Sequence, residues 1–161
     1  MKKGLITFIL GLIFFASEAQ DIPTWKITDV EKYITTNTSD VIVVNMWATF
    51  CKPCVAELPS FIKIINQYKK DNVKLLLVSL DLPSFYPKKI SAFAKKHHFN
   101  ANIVWLNETD ADYFCPKIDK SWSGSIPATL FINIKTGYRK FFEEEISAAT
   151  FEKELQAVIK G

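Results

Sequence analysis

Val41-Ile42-Val43-Val44-Asn45-Met46-Trp47 runs into Ala48-Thr49-Phe50-Cys51-Lys52-Pro53-Cys54, a stretch in which an apolar run is followed closely by two cysteines. Its first half is apolar, and mostly β-branched, at all but one position, which suits an inner strand buried on both faces of a parallel or mixed sheet. Beyond Cys54 the apolar residues recur at Leu58, Phe61, Ile62, Ile65 and Tyr68, with Lys63, Asn66, Gln67 and Lys69 on the other side. That is the spacing of an amphipathic helix. Two cysteines, two residues apart, therefore stand where a strand ends and a helix begins.

The unpaired amides of a first helical turn, and the helix dipole behind them, place partial positive charge beside Cys51 and favour its thiolate. Lys52 adds a cation, and Pro53 fits a first turn, where its missing N–H is little loss. The sulfurs are near enough in sequence to close a small ring, and only a thiolate attacks another disulfide. Cys51 is the expected nucleophile and Cys54, one turn inside the helix, the resolving thiol. Such chemistry needs no cofactor and no metal. A zinc knuckle would need a second ligand pair, whereas the remaining candidates are Cys115 and the adjacent His97 and His98, which point about 100° apart on a helix. A haem attachment site would carry His where Val55 stands. An inert structural disulfide is the other alternative, but so short a loop constrains the unfolded chain little.

The runs "VVNMWATFCKPCVAELPSF" and "GSIPATLFIN" resemble the thioredoxin fold, and more narrowly the TlpA/ResA group of extracytoplasmic thiol-disulfide oxidoreductases. The resemblance extends over about residues 28 to 160. It implies that Ile126-Pro127 is a cis-proline loop facing the disulfide, with Ile126 backbone groups pairing with an extended substrate segment. It also implies a role for Glu57, since a glutamate at the matching position of ResA-type proteins is implicated in tuning the cysteines. The helix sets Glu57 three residues after Cys54, where it either handles the proton when Cys54 attacks or sits in solvent and favours the dipole. Asn45 occupies the place of thioredoxin's buried aspartate and cannot take a proton. Phe50 replaces the family's usual tryptophan, keeping an apolar platform but dropping an N–H donor. Trp47 reads as core packing under the site. Trp122 either borders the substrate groove or is a partly buried aromatic.

The chain has 161 residues and 48% hydrophobic composition, enough for one domain with a real core. Lys2-Lys3, the apolar run from Gly4 to Ala16 and Ser17-Glu18-Ala19 form the pattern of a signal peptide over residues 1 to 19, with an uncleaved anchor as the weaker reading. Residues 20 to 27 read as a linker and 28 to 161 as the thioredoxin-like domain. The formal charge of +3 is too mild to suggest nucleic acid as a partner. Export to a periplasmic or otherwise extracytoplasmic compartment makes an odd cysteine conspicuous. Cys115 is either a small buried hydrophobe or an exposed thiol with a second redox role.

The rest of the pattern predicts a short helix at Ile27 to Ile34 opened by Thr28 or Asp29, and a helix kink at Pro59. Further strands are expected at Lys74 to Leu80 and Ile103 to Leu106, with a lysine-rich helix over Ser84 to His98 between them. A helix over Thr109 to Lys120 should break at Pro116. A hairpin from Ala128 to Glu143 and a closing helix from about Ala148 to Lys160 complete the chain. The whole is an α/β mixed central sheet with helices on both faces. The 73 positions between Cys54 and Pro127 exceed what a minimal thioredoxin needs, and the surplus strand and helix resemble the TlpA/ResA insertion.

The resulting expectation is an exported thiol-disulfide oxidoreductase; the resemblance implies a reductase of protein disulfides, in cytochrome c maturation or envelope redox homeostasis, recharged by a membrane thiol-disulfide electron donor. Two other classes remain. A thiol peroxidase would suit Asp81 and the strand before it, but Thr49 is misplaced for such a site and Cys54 stands at CxxC spacing. A non-catalytic binding module of thioredoxin fold would hold clients without covalent exchange.

Overall fold

A computed structural model describes residues 21 to 161. The signal-peptide reading, over residues 1 to 19, lies outside the described residues. Among these, β2 (Val41–Trp47) is central to a six-stranded sheet. It pairs in parallel with β3 (Val73–Ser79) and antiparallel with β5 (Ala128–Asn133). Beyond β3 lie β4 (Asn102–Leu106) and the edge strand β1 (Thr24–Trp25), both parallel to it, and beyond β5 lies β6 (Tyr138–Phe142). This is the mixed sheet the sequence pattern predicts.

All seven residues of β2 are buried because both faces are covered. Its side chains alternate between two cores, as strand geometry dictates. Val41, Val43 and Trp47 join Leu58, Phe61, Ile90 and Phe151 under α2 (Lys52–Gln67), α3 (Lys88–Lys96) and α5 (Ala148–Lys160). Ile42, Val44 and Met46 join Val30, Ile34, Phe114 and Ile118 under α1 (Ile27–Thr36) and α4 (Ala111–Ile118). The stacked rings of Phe61 and Phe151, 3.9 Å apart, lock α2 to α5. Asn45 is the one polar member of β2 and faces the α2 side, by the same alternation.

Several expectations are corrected. The stretch read as a linker is folded: Ile22 is fully buried, and β1 adds to the sheet through Thr24 and Trp25 beside Trp105 and Leu106. Helix α1 is opened by Lys26 rather than by Thr28 or Asp29, and the Asp29 carboxylate accepts the Lys26 N–H at 2.8 Å. The lysine-rich helix begins at Lys88, four residues later than predicted. A residue before proline avoids the helical region, and Tyr86, ahead of Pro87, is extended (φ −78°, ψ 143°), leaving Pro83–Phe85 as a separate turn. Helix α4 runs on through Pro116. Asp112, whose carbonyl loses its partner there, is exposed to water, while Phe114, Cys115 and Ile118 hold the helix down. Helix α2 carries Pro59 inside it and runs to Gln67, which accords with a proline that bends a helix without ending it.

Candidate active site

Cys51 and Cys54 form a disulfide at the carboxyl end of β2, with Cys51 as the N-cap of α2. The Cys51 sulfur accepts the Cys54 N–H at 3.3 Å, so one amide of the first turn faces it. Cys54 has no exposure and Cys51 has 8%. Of the pair, Cys51 alone keeps any exposure, the order that a nucleophile and a resolving thiol would need. Phe50, 59% exposed, stands beside it as an apolar platform on the surface.

Trp47, fully buried, packs edge-on against Phe99 beneath the site, as expected of core packing. The loop between it and Cys51 is fastened by a residue whose role here the sequence did not disclose. Asp81, just past β3, accepts the Thr49 N–H with both carboxylate oxygens at 3.1 Å and the Thr49 hydroxyl at 2.6 Å. Ser79 donates its hydroxyl to the same carboxylate at 2.8 Å. Asp81→Asn replaces one acceptor oxygen by a donor, and the expected loss is about 1 to 2 kcal/mol of stability in urea denaturation, with the fold retained.

Glu57 is 5% exposed, which decides against a solvated first-turn residue. Its carboxylate accepts Asn45 Nδ2 at 3.0 Å and the Ile146 N–H, from just before α5, at 3.2 Å. Burial pushes its pKa up to about 7, against the Ile146 and Asn45 hydrogen bonds, and the nearby Glu145 charge adds to the rise. Asn45 also donates to Thr129 Oγ1 at 2.9 Å, so β2, α2 and β5 share one buried polar network.

The Ile126–Pro127 bond is cis. Met46 lies beside Ala128 in the antiparallel ladder, so the next step of that register sets Pro127 beside Trp47, at the sheet end that carries the disulfide. Trp122 does not border a groove: it is 4% exposed, packs against Phe114 and Phe141, and donates its indole N–H to the Ser125 carbonyl at 2.8 Å. It braces the proline loop from beneath. Cys115 is free and buried, and burial, with the Glu143 and Asp112 charges, raises its thiol to about 11, the behaviour of an inert small hydrophobe.

A cavity of about 630 Å³ lined by Tyr33, Ile65, Asn66 and Asn102 borders the starts of β3 and β4, at the other end of the sheet from this chemistry. Among the described residues no three His, Cys, Asp or Glu side chains gather as a metal would need, and no helix is long and apolar enough to cross a membrane.

The profile of the AhpC/TSA family matches residues 16 to 136. The chain belongs to the AhpC/TSA family. Within it, the chain is similar to a thiol-disulfide oxidoreductase ResA of Oceanobacillus iheyensis, 35% identical over 65 residues that make up 40% of this chain and 30% of the relative. The ResA of Geobacillus kaustophilus is 24% identical over 117 residues, 73% of this chain and 62% of the relative. The matched part thus spans less than two thirds of either relative. A thioredoxin-related protein from Neisseria meningitidis serogroup B superimposes with a TM-score of 0.62 at 28% identity, covering 76% of this chain and 84% of the other. This AhpC/TSA-family chain therefore has the thioredoxin-like fold that its motifs imply.

Proposed function

We propose that this AhpC/TSA-family chain is a thiol-disulfide oxidoreductase that reduces protein disulfides. The observation that carries the reading is the Cys51–Cys54 disulfide at the start of α2, with one sulfur reachable and the other enclosed. In the reduced protein the Cys51 thiolate attacks a client disulfide. A Cys51–client bond forms, and the other client sulfur leaves as a thiolate. Cys54 then attacks the Cys51 sulfur, closing the internal disulfide and releasing the second client thiolate, so that two electrons pass to the client. Glu57 takes the Cys54 proton as that thiol becomes a nucleophile, a task suited to a carboxyl poised near 7. Asn45 cannot take the proton itself, but its amide, turned over, accepts from a protonated Glu57 in the same place. Ile126, ahead of the cis Pro127, supplies backbone groups to the client segment.

The pattern of residues 1 to 19 supports export, and an exported reductase needs a membrane thiol-disulfide donor to recharge it. Cytochrome c maturation and envelope redox homeostasis are the settings this reading favours. The likeness to ResA proteins supports the reaction class.

The test is reduction of a disulfide-linked protein such as insulin by the dithiol form, against peroxide consumption by the same sample. Insulin reduction with no peroxide turnover is the expected result. The opposite pattern would install the thiol peroxidase, the reading the family name brings closest. Against it stand the Cys54 partner and the Thr49 hydroxyl, which is committed to Asp81.

A further inference from the structure

We propose that Glu143 is a latch that sets the loop carrying Ile126 and Pro127 before a client arrives, and so is a positioning residue for client binding; this rests on the oxidoreductase reading above. Glu143 directly follows β6, and the β5–β6 register, which pairs Thr129 with Phe142, brings it beside Ala128, at the disulfide end of the sheet. One carboxylate oxygen accepts the Ser123 N–H at 2.9 Å, the Ser125 N–H at 3.0 Å and the Ser123 hydroxyl. These are charge-assisted bonds, the stronger class. The Ser123 hydroxyl is the first cause that holds this carboxyl below the usual range, so the latch keeps its charge at neutral pH.

The loop has few other fixed points: Asp119 holds Ser121, and Trp122 holds the Ser125 carbonyl. Between the two latched amides lies Gly124, at φ +98°, a conformation that glycine alone adopts readily. It sits over Cys115, whose sulfur would be 3.6 Å from a Cβ built there. With the latch released, residues 123 to 125 lose three hydrogen bonds. A client strand then has to order the loop as it binds, which weakens binding without touching the sulfurs.

Cys115 is a built-in reporter, because in the disulfide form it is the free thiol and this loop covers it. Glu143→Ala in the oxidised protein is expected to raise the rate of Cys115 alkylation by iodoacetamide about tenfold. It is also expected to raise KM for a protein disulfide about tenfold, with kcat within about twofold and the Cys51–Cys54 midpoint potential unchanged. Glu143→Gln keeps an acceptor oxygen but loses the charge that helps raise the Cys115 thiol, so its alkylation rises only as far as that charge accounts for and its KM lies between wild type and the alanine variant; alkylation no faster in the alanine than in the glutamine variant overturns the latch. Should the alanine variant fold poorly, Glu143→Asp, one methylene shorter, moves both readouts in the same direction. Wild-type alkylation and KM in the alanine or aspartate variant overturn the latch, and so does faster alkylation with an unchanged KM. A wild-type protein that reduces no protein disulfide sinks the oxidoreductase reading instead, while the alkylation ratio still reports whether the latch exists.

Discussion

Cys54→Ser is expected to convert the protein into a trap. Cys51 still attacks a client disulfide, but no second sulfur remains to release it, so mixed disulfides accumulate on Cys51 and vanish when a small thiol is added. Cys51→Ala is expected to abolish turnover, a loss of at least about a thousandfold, since binding alone is left once the nucleophile is gone. The expected asymmetry follows from burial, since Cys54 has no exposure and Cys51 has 8%. Non-reducing electrophoresis of the two variants with an oxidised client reads both results. Undiminished client binding by Cys51→Ala, with no adduct on Cys54→Ser, would instead establish a module that holds clients without exchange. Trapping on Cys54 in the Cys51→Ala protein would overturn the assignment of roles.

The expected trap relies on polar contacts that hold the loops around the sulfurs. Asp81 ties the Ala48–Phe50 approach to the end of β3 through Thr49, and Trp122 and Glu143 fasten the proline loop at Ser123 and Ser125. A disulfide exchange needs three sulfurs in line, and mobile loops would have to be ordered at each encounter. Loops held in place beforehand lower that cost.

The parts legible in the sequence are those written in neighbouring residues. The strand–CxxC–helix unit, the hairpin and the final helix follow from local periodicity and turn chemistry, and each is where that pattern puts it. The proline loop was legible only by resemblance, because nothing local says which strand end Pro127 will meet. Other features left no local mark. β1 is two residues long, too short to show alternation, and its burial of Ile22 depends on β4 some 80 positions away. The start of α3 turned on Pro87 overriding a plausible helical face. Asp81 and Thr49 are 32 positions apart, and one of the two donors that meet Glu57 is a backbone amide 89 positions away, a group every residue but proline carries. Trp122 was read for its side chain's surface and turned out to matter for its indole N–H. Sequence periodicity reports which face is buried; it does not report which buried polar group finds which partner.

Glu57 is where that missing information has the largest thermodynamic consequence. Its carboxyl is held near 7 in the folded, disulfide form and returns to the ordinary value of about 4.5 when the chain unfolds. Between these limits the folded state binds the extra proton, so stability falls as pH rises through the window. Below 4.5 both states are protonated and the burial of Glu57 costs nothing in charge; above 7 the folded state must carry a buried carboxylate, and the full penalty applies. A separation of about 2.5 pH units corresponds to about 3 kcal/mol. Glu57→Gln has no proton to lose and keeps an acceptor for one of the two donors. The difference in urea-denaturation stability, variant minus wild type, should therefore climb by about 3 kcal/mol from pH 4 to pH 8 in the oxidised protein, and level off on either side. A flat difference would mean that the carboxyl is not desolvated and would remove the case for a proton acceptor beside Cys54. A climb in stability accompanied by a loss of the neutral-pH inflection in the Cys54 step, measured by single-turnover release of a Cys51-linked client, would join the two. The burial that makes the glutamate a poor stabiliser at pH 7 is the same burial that lets it exchange a proton there.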